Sequence, residues 1–358
     1  ARRMGYRAAV LDPEAGSPAM QVADERLVAP YNDPAALDRL ASLCAAVTVE
    51  FESVPAGSVA HVERSCVTAP GSESIAVLQD RIREKRFLRG IGLPVAPFAP
   101  VIAAPDLASA DCYPGILKLA RQSYDGKGQE GVRSAAEALA AWRSLGEAPC
   151  VLERRLDLEA ELSVVLARSA GGDLRAFPAA ENRHRDGILE LSLVPARLPA
   201  RIAVEAERMA ARIAECLDYV GVLGVEFFVC GGELLVNEIA PRPHNSGHYT
   251  MDACATSQFE QQVRALCGLP LGDPSLRSPA AMLNLLGDAW RGGEPDWDAV
   301  LGDSGGRLHL YGKAQARPRR KMGHITVARD RAADALEAAE ACRERLSDRR
   351  TSRRSRAA

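Results

Sequence analysis

The sequence lacks the features that mark several common protein classes. No apolar run approaches the roughly 18 residues that a membrane-spanning helix needs, and no apolar signal segment follows the charged start at Ala1 to Arg3. The nine cysteines are odd in number, scattered and never spaced as CxxC, which argues against a disulfide framework or a zinc site. A formal net charge of −2 gives no reason to expect nucleic acid or an anionic membrane as partner. We therefore expect a cytoplasmic protein that acts on small molecules.

Several catalytic signatures are also missing. The sequence has no GxGxxG dinucleotide fingerprint, no GxxxxGK[ST] phosphate loop and no GxSxG nucleophile element. Lysine is scarce, because only five of the 45 basic residues are lysines. This bias is typical of genome composition, but it raises the question of why lysine is kept at particular positions.

The 358 residues, 47% of them hydrophobic and 26% charged, are enough for two or three domains. Near the N-terminus, strand-like runs alternate with a helix at 34–44, which predicts a parallel α/β sheet. A nucleotide-binding-like βαβ unit would begin one strand and one glycine-rich turn earlier than this chain does. The sequence is therefore expected to be truncated or to have lost that element.

Further along, apolar spacing predicts one long amphipathic helix over Ile75–Arg89. The order strand, glycine loop, strand, helix, strand predicts a small α+β lid, and two more helices are predicted at Pro199–Leu217 and Ala253–Cys267. The predicted organisation is an N-terminal α/β domain at 1–74, a central domain at 75–270 with a lid at about 95–160, a small β-rich domain at 271–346 and a disordered basic tail at 347–358.

The segment Val225–Tyr249 carries the strongest chemical signal. It reads as two strands joined by Gly231 and Gly232, and the spacing predicts that Glu226 and Glu238 project from one face of this hairpin. Two adjacent carboxylates need a cation between them, and Mg²⁺ bridging to nucleotide phosphates is the natural occupant. The alternative is an edge hairpin whose acids face solvent.

Other positions suggest a nucleotide site less strongly. The glycine-rich loop at 123–131 would let backbone N–H groups and Lys127 close over phosphates, although a plain hairpin loop would look similar. Lys118 precedes this loop and would reach phosphates as a point charge. Glu153 and Glu161 would accept hydrogen bonds from an adenine amino group and ribose hydroxyls, or they are ordinary surface glutamates.

Histidines and basic residues suggest a second ligand. His184 is predicted in a loop, where it either contacts a ligand or is solvated. His244 and His248 are four residues apart, but Pro243 argues against a helix, so substrate hydrogen bonding is preferred over metal ligation. Arg317, Arg320 and Lys321 concentrate positive charge near His324, which is typical of a site for an anionic group or of a solvated basic turn.

Together these motifs resemble a known family. The runs NEIAPRPHNSGHYT, SYDGKGQ, ENRHRDGIL, QDRIREKRFL, VEFESVP and RPRRKMGH are similar, in order, to those of the N5-carboxyaminoimidazole ribonucleotide synthetases, which are ATP-grasp enzymes of purine biosynthesis. The resemblance covers residues 3 to about 327. It implies an ATP-grasp fold of mixed α/β and α+β class, with an N-terminal parallel α/β domain, a two-lobed central domain and a small C-terminal β-rich domain.

The resemblance also implies a reaction and a homodimer. ATP would phosphorylate bicarbonate to carboxyphosphate, and the carboxyl group would pass to the amine of 5-aminoimidazole ribonucleotide. Glu226 and Glu238 would hold Mg²⁺ with Asn237 nearby, and Arg242 would stabilise the transferring phosphate. The implied ATP contacts are Arg81, Lys118, Ser123, Tyr124, Asp125, Gly126, Lys127, Gly128, Gln129, Glu153, Arg154, Arg155, Leu156, Glu161, His184, Asn237 and Glu238. The implied substrate or catalytic residues are Tyr124, Lys127, Arg242, His244, Asn245, Arg320 and Lys321.

Two departures from the family pattern affect the substrate half of the site. The family begins with a GxGQLGRM-like turn that binds the ribonucleotide phosphate, and Ser53 stands where asparagine is usual. Two other hypotheses therefore stay open: another ATP-grasp carboxylate–amine ligase, and a truncated homologue that binds nucleotide without turnover.

Overall fold

A computed structural model describes residues 1–121, 128–302 and 305–347. The strands are β1 (Ala9–Asp12), β2 (Glu25–Val28), β3 (Ala46–Val47), β4 (Val67–Thr68), β5 (Phe98–Val101), β6 (Gly115–Leu119), β7 (Gln129–Val132), β8 (Cys150–Arg154), β9 (Ala160–Arg168), β10 (Leu174–Ala176), β11 (Ala180–Arg185), β12 (Ile188–Val194), β13 (Gly221–Cys230), β14 (Glu233–Ala240), β15 (Ala280–Leu286), β16 (Gly306–Leu310) and β17 (Lys321–Ala328).

The helices are α1 (Pro18–Val22), α2 (Pro34–Leu43), α3 (Ala56–Glu63), α4 (Ser72–Leu78), α5 (Arg81–Gly90), α6 (Ala104–Ser109), α7 (Ala135–Ser144), α8 (Ala200–Cys216), α9 (Thr250–Ala253), α10 (Gln258–Leu266), α11 (Trp297–Leu301) and α12 (Ala332–Ser347). Short 3-10 helices lie at Arg2–Met4, Asn245–Gly247 and Gly287–Trp290. Within the described part of the chain, no helix combines the length and the apolar character that crossing a membrane requires.

The N-terminal segment contains parallel strand pairs, as the sequence predicts. β1 pairs with β2, and β3 pairs with β4, as two separate two-stranded sheets. Helix α2 begins where Asp33 accepts a hydrogen bond from the Ala36 N–H, with Pro34 in the first turn, and its Leu37 and Leu40 are buried.

A large antiparallel sheet forms the centre of the protein. Among the described residues its strand order is β14-β13-β9-β11-β12-β15-β17-β16, with β10 on β9. Helix α8 packs on it, because Ile202, Ala206, Met209 and Ile213 recur at helical spacing and are all buried. The antiparallel pairing of β12 with β15 continues this sheet across residue 270, so the central and C-terminal strands share one sheet. The predicted domain boundaries themselves stay a prediction.

A second, four-stranded antiparallel sheet lies where the lid is predicted. Its order is β5-β8-β6-β7, and α6 and α7 cover it through a separate apolar cluster that includes Leu107, Leu117, Ala138 and Trp142. This separate core is consistent with the expected α+β lid.

Three sequence-based expectations about elements are wrong in detail. The single helix predicted over Ile75–Arg89 is two helices, because Asp80 breaks the pattern and caps α5 by accepting hydrogen bonds from the N–H groups of Ile82 and Arg83. The helix predicted over Ala253–Cys267 begins later, at Gln258, where Ser257 caps α10, and Ala253 instead ends the short helix α9. His184 lies on β11 and not in a loop.

Candidate active site

The two predicted carboxylates do lie opposite each other, but for a reason that the spacing alone does not supply. From the Gly231-Gly232 turn, Cys230 pairs with Glu233 and Phe227 pairs with Val236. Continued unchanged, this register would place Asn237 opposite Glu226 and turn Glu238 to the other face. A bulge shifts the register by one residue, so that Glu226 pairs with Glu238 and Asn237 is the extra residue.

Asn237 is held by its backbone at this bulge. Its carbonyl oxygen accepts a 2.7 Å hydrogen bond from the Nζ of Lys85, an almost fully buried side chain on α5. The amide of Asn237 donates to Glu226 Oε2 at 3.4 Å, whereas its buried Oδ1 has no hydrogen-bond partner among the described residues. The bulge therefore presents two carboxylates and one free amide oxygen together.

Lys85 and Lys118 converge on Glu153. Their Nζ atoms lie 3.4 Å and 3.2 Å from Glu153 Oε2, and all three side chains are buried. Burial raises the pKa of Glu153, but the lysine charges, with that of Arg81, outweigh burial and lower this pKa to about 2. Glu153 is thus a permanent anion that fixes two cations between β6, β8 and α5.

Arg81 makes the two paired glutamates differ in pKa. Its Nη1 donates to Glu238 Oε2 at 2.7 Å. Burial raises the pKa of Glu238, yet the Arg81 charge more than compensates and lowers it. For Glu226, burial and then the Glu238 charge raise the pKa. A cation that enters between the two carboxylates would relieve this repulsion.

His184 faces the same region from β11. Its Nδ1 lies 2.7 Å from Glu161 Oε2 on β9. Burial lowers the pKa of His184, but Glu161 first, and then Glu226 and Glu238, raise it above the ordinary value. The three carboxylates therefore favour the protonated form of this imidazole.

His244 carries no positive charge at neutral pH. Its pKa is lowered to about 3, first by burial and then by the charges of Arg242 and Lys321. Its Nδ1 lies 2.8 Å from Ser246 Oγ, and its Nε2 lies 3.3 Å from Glu226 Oε1. The ring packs directly on Gly224 of β13, where an added Cβ would lie 2.6 Å from the His244 Cβ, so the strand needs glycine there.

Arg242 and Asn245 are positioned by residues distant in sequence. Arg242 Nη2 lies 2.6 Å from Glu52 Oε1, in the VEFESVP segment near the N-terminus. Asn245 and Asn284 of β15 exchange two amide hydrogen bonds of 3.0 Å and 2.8 Å while both are buried. The N-terminal, central and C-terminal parts of the chain therefore meet at this loop.

The basic segment at 317–321 approaches the site through Lys321. This residue begins β17, and its charge lowers the pKa of Glu226 and of His244. Arg320 Nη1 instead donates to the Gln315 carbonyl, and Arg317 contacts the Gln315 amide oxygen. Of these predicted residues, Lys321 has the clearest electrostatic connection to the acidic pair.

Of the remaining predicted residues, some are described by the structure and some are not. Arg154 ends β8 and donates to the Asp111 carbonyl, the backbone N–H of Arg155 donates to Pro114, and Leu156 follows β8. Gly128 has a φ of +69° and leads into β7 at Gln129. Ser123, Tyr124, Asp125, Gly126 and Lys127 lie outside the described residues.

Sequence reasoning did not assign four residues that organise the site. Lys85 and Glu84 hold the bulge, since Glu84 Oε1 accepts from the Ile239 N–H at 3.1 Å. Glu52 pairs with Arg242, and Asn284 pairs with Asn245. The retention of lysine at position 85 in an arginine-rich chain was a usable signal, whereas Asn284 on an apolar strand gave none.

Three family models match successive parts of the chain. They are the ribonucleotide synthetase preATP-grasp domain at residues 1–79, the ATP-grasp domain at 86–259 and the phosphoribosylaminoimidazole carboxylase C-terminal domain at 280–338. The N5-carboxyaminoimidazole ribonucleotide synthase of Brucella melitensis is 44% identical over 332 residues, which cover 91% of each chain. The chain belongs to the N5-carboxyaminoimidazole ribonucleotide synthase family.

Solved structures agree with this assignment. An N5-carboxyaminoimidazole ribonucleotide synthetase in complex with ADP superposes with a TM-score of 0.91 at 41% identity, over 97% of this chain and 93% of that one. The Aspergillus clavatus N5-carboxyaminoimidazole synthase, solved with ADP and 5-aminoimidazole ribonucleotide, gives 0.88 at 30% identity over the same shares. The ATP-grasp fold and the family resemblance are therefore confirmed.

Proposed function

We propose that this protein carboxylates 5-aminoimidazole ribonucleotide to N5-carboxyaminoimidazole ribonucleotide, using ATP and bicarbonate, in purine biosynthesis. A bicarbonate oxygen attacks the γ-phosphorus of ATP, giving carboxyphosphate and ADP. The exocyclic amine of the ribonucleotide then attacks the carboxyl carbon, and inorganic phosphate leaves with the bonding electrons as the amine loses a proton. Family membership and the opposed Glu226–Glu238 pair support this assignment.

The donor set at the bulge fits Mg²⁺. Two carboxylates and the free amide oxygen of Asn237 are hard oxygen ligands, which Mg²⁺ prefers, and neither sulfur nor imidazole is needed. When bound, the ion would neutralise charge on the transferring phosphate. We assign Glu226 and Glu238 as its protein ligands, with Asn237 beside them.

We assign the ATP contacts to the region beside the Glu226–Glu238 pair where the cationic side chains lie. Lys118 and Arg81 would face phosphates, held by Glu153 and Glu238. His184 and Glu161 would bind near them, and the remaining ATP-contact residues keep the roles that the resemblance implies. Phosphoryl transfer needs alignment and charge neutralisation more than covalent help, which this arrangement supplies.

We assign substrate binding to the loop after β14. Arg242 would contact the transferring phosphate, and the neutral His244, Asn245 and Lys321 would orient the ribonucleotide and bicarbonate. Arg320 would contribute charge from the neighbouring turn. The lid would exclude water, which hydrolyses carboxyphosphate. The substrate contacts of Tyr124 and Lys127 remain predictions. We also propose a cytoplasmic homodimer.

The decisive measurement is ADP release in the presence of Mg²⁺, with bicarbonate and the ribonucleotide omitted in turn. We expect release only when both are present, and a loss of at least about 100-fold in Glu238→Gln, the size typical for removing one electrostatic catalytic contact. Glu233→Gln is the matched control, since it changes an exposed glutamate on the same strand.

Two outcomes would redirect the assignment. ADP release that ignores both compounds but needs another acid and amine would indicate a different ATP-grasp ligase. Nucleotide binding without any turnover would indicate a homologue that has lost activity.

A further inference from the structure

A second cluster of ligand-type side chains lies beyond the loop that carries His244 and Asn245. His309 on β16 and His324 on β17 are directly opposed in the antiparallel register, so both side chains project from one face of the sheet. Their rings stack with centroids 4.6 Å apart and planes inclined by 17°. Asp252, on α9, reaches this pair from the neighbouring layer, and its Oδ2 lies 2.8 Å from His309 Nε2.

One ligand atom from each of Asp252, His309 and His324 lies within 4.8 Å of the other two. Two imidazole nitrogens and one carboxylate oxygen form a donor set that suits divalent transition ions such as Zn²⁺. Mg²⁺ would be a poor match because it prefers oxygen ligands.

His324 supplies an independent indication of a ligand-binding position. Only 1% of this residue is exposed, and its Nε2 is buried without a hydrogen-bond partner among the described residues. Its Nδ1 is engaged, at 2.9 Å from the Tyr311 hydroxyl. A histidine with one nitrogen held by a neighbour and the other free has the arrangement found in metal sites. A buried unpaired ring nitrogen is otherwise a cost to the fold.

The Asp252 carboxylate is oriented by two neighbours. Arg307 lies 3.5 Å from its Oδ1 and leaves Oδ2 facing His309, 2.8 Å from the His309 Nε2. One carboxylate oxygen is therefore directed at the histidine pair.

A cavity of about 450 Å³ adjoins the cluster. Its lining includes His248, Met251, Phe259, His309, Tyr311 and His324. An ion with three protein ligands would therefore have a remaining coordination position open to water or to a small ligand.

We propose that Asp252, His309 and His324 form a binding site for a divalent transition ion of the Zn²⁺ type, separate from the Mg²⁺ site assigned to Glu226 and Glu238. The site joins α9 to β16 and β17. The His309–His324 row continues to Asn284 on β15, whose amide holds Asn245. The ion would thus brace the sheet behind the substrate loop.

The test is equilibrium dialysis of chelator-treated protein against Zn²⁺, with excess Mg²⁺ to occupy the oxygen-ligand site. We expect one bound Zn²⁺ in the native sequence and its loss in His309→Gln and in Asp252→Asn. Tyr311→Phe keeps all three ligands but releases the His324 ring, so we expect about ten-fold weaker binding. His61→Gln is the matched control, because His61 forms a comparable 2.6 Å pair with Asp38 outside this three-residue cluster.

Three further measurements make the result decisive. Near-ultraviolet circular dichroism and ADP binding check that each variant is folded. The Co²⁺ spectrum reports ligand type, and we expect no thiolate charge-transfer band, which separates this site from binding by the nine free cysteines. The proposal is overturned if no Zn²⁺ binds, if binding survives both His309→Gln and Asp252→Asn, or if the spectrum shows thiolate ligands. None of these results depends on the carboxylation activity.

Discussion

Replacing Lys85 by methionine should destabilise the protein strongly, although the residue lies beneath the predicted nucleotide site. The Lys85 side chain is 1% exposed, and its Nζ contacts Glu153 Oε2 at 3.4 Å and donates to the Asn237 carbonyl at 2.7 Å. Methionine fills a similar volume but leaves the carbonyl unpaired and Glu153 with one lysine fewer. Breaking a buried ion pair from one side costs about 3–5 kcal/mol, so we expect a loss of that size.

Urea denaturation at neutral pH, followed by circular dichroism, measures this loss as a change in the free energy of unfolding. Arg86→Met is the matched control: it removes an exposed cation from the next position of the same helix and should change stability by less than about 0.5 kcal/mol. The double variant Lys85→Met, Glu153→Gln should cost less than the sum of its single changes, since the carboxylate left unpaired is then absent.

The pH dependence provides a second check on the same pair. The pKa of Glu153 is about 2 in the folded protein and ordinarily 4.5. Its contribution to stability is therefore complete above pH 4.5 and is lost as the pH falls towards 2. The difference between the native protein and Lys85→Met should shrink over that interval. A loss below about 1 kcal/mol at neutral pH, or one equal to that of Arg86→Met, would refute the reasoning.

Three further predictions concern the site and its supports. Gly224→Ala should displace the His244 ring, because the new Cβ would lie 2.6 Å from the His244 Cβ. We expect kcat/KM for the ribonucleotide to fall with little change in ATP binding. An unchanged kcat/KM would contradict the role of this contact in positioning His244. Glu161→Gln should lower the pKa of His184, because Glu161 makes the largest contribution to raising it, and NMR titration of the ring measures this shift. A raised histidine pKa stabilises the fold at low pH, and this stabilisation is lost as the pH rises through that pKa. The native protein should therefore be more stable than Glu161→Gln at low pH and lose this advantage above the His184 pKa. Gln262→Ala should lower the free energy of unfolding by about 2–3 kcal/mol, because the buried Val222 N–H and Ala69 carbonyl lose their hydrogen-bond partner. The hydrogen bond that Gln262 donates to Thr48 is lost as well. Thermal unfolding measures the loss, and Glu215→Ala, at an exposed position, is the control.

Local sequence determined the secondary structure wherever periodicity and caps agree. The amphipathic pattern of α8 and the Asp33-Pro34 start of α2 are readable in the sequence, since each depends on residues within one or two turns. Apolar spacing alone predicts one helix through position 80, because that spacing continues across Asp80, whereas Asp80 caps the start of α5. The motifs likewise identified the family, since NEIAPRPHNSGHYT places acidic, basic and amide groups in an order that periodicity does not explain.

Tertiary structure alone decided how these groups face one another. The pairing of Glu226 with Glu238 depends on a bulge at Asn237, whose carbonyl is held by Lys85 from α5, more than 150 residues away in sequence. The supports of the substrate loop, Glu52 and Asn284, come from opposite ends of the chain. Register, burial and charge balance arise only when separate elements pack. The sequence by itself therefore identified the chemical groups, and the fold determined which of them contact one another.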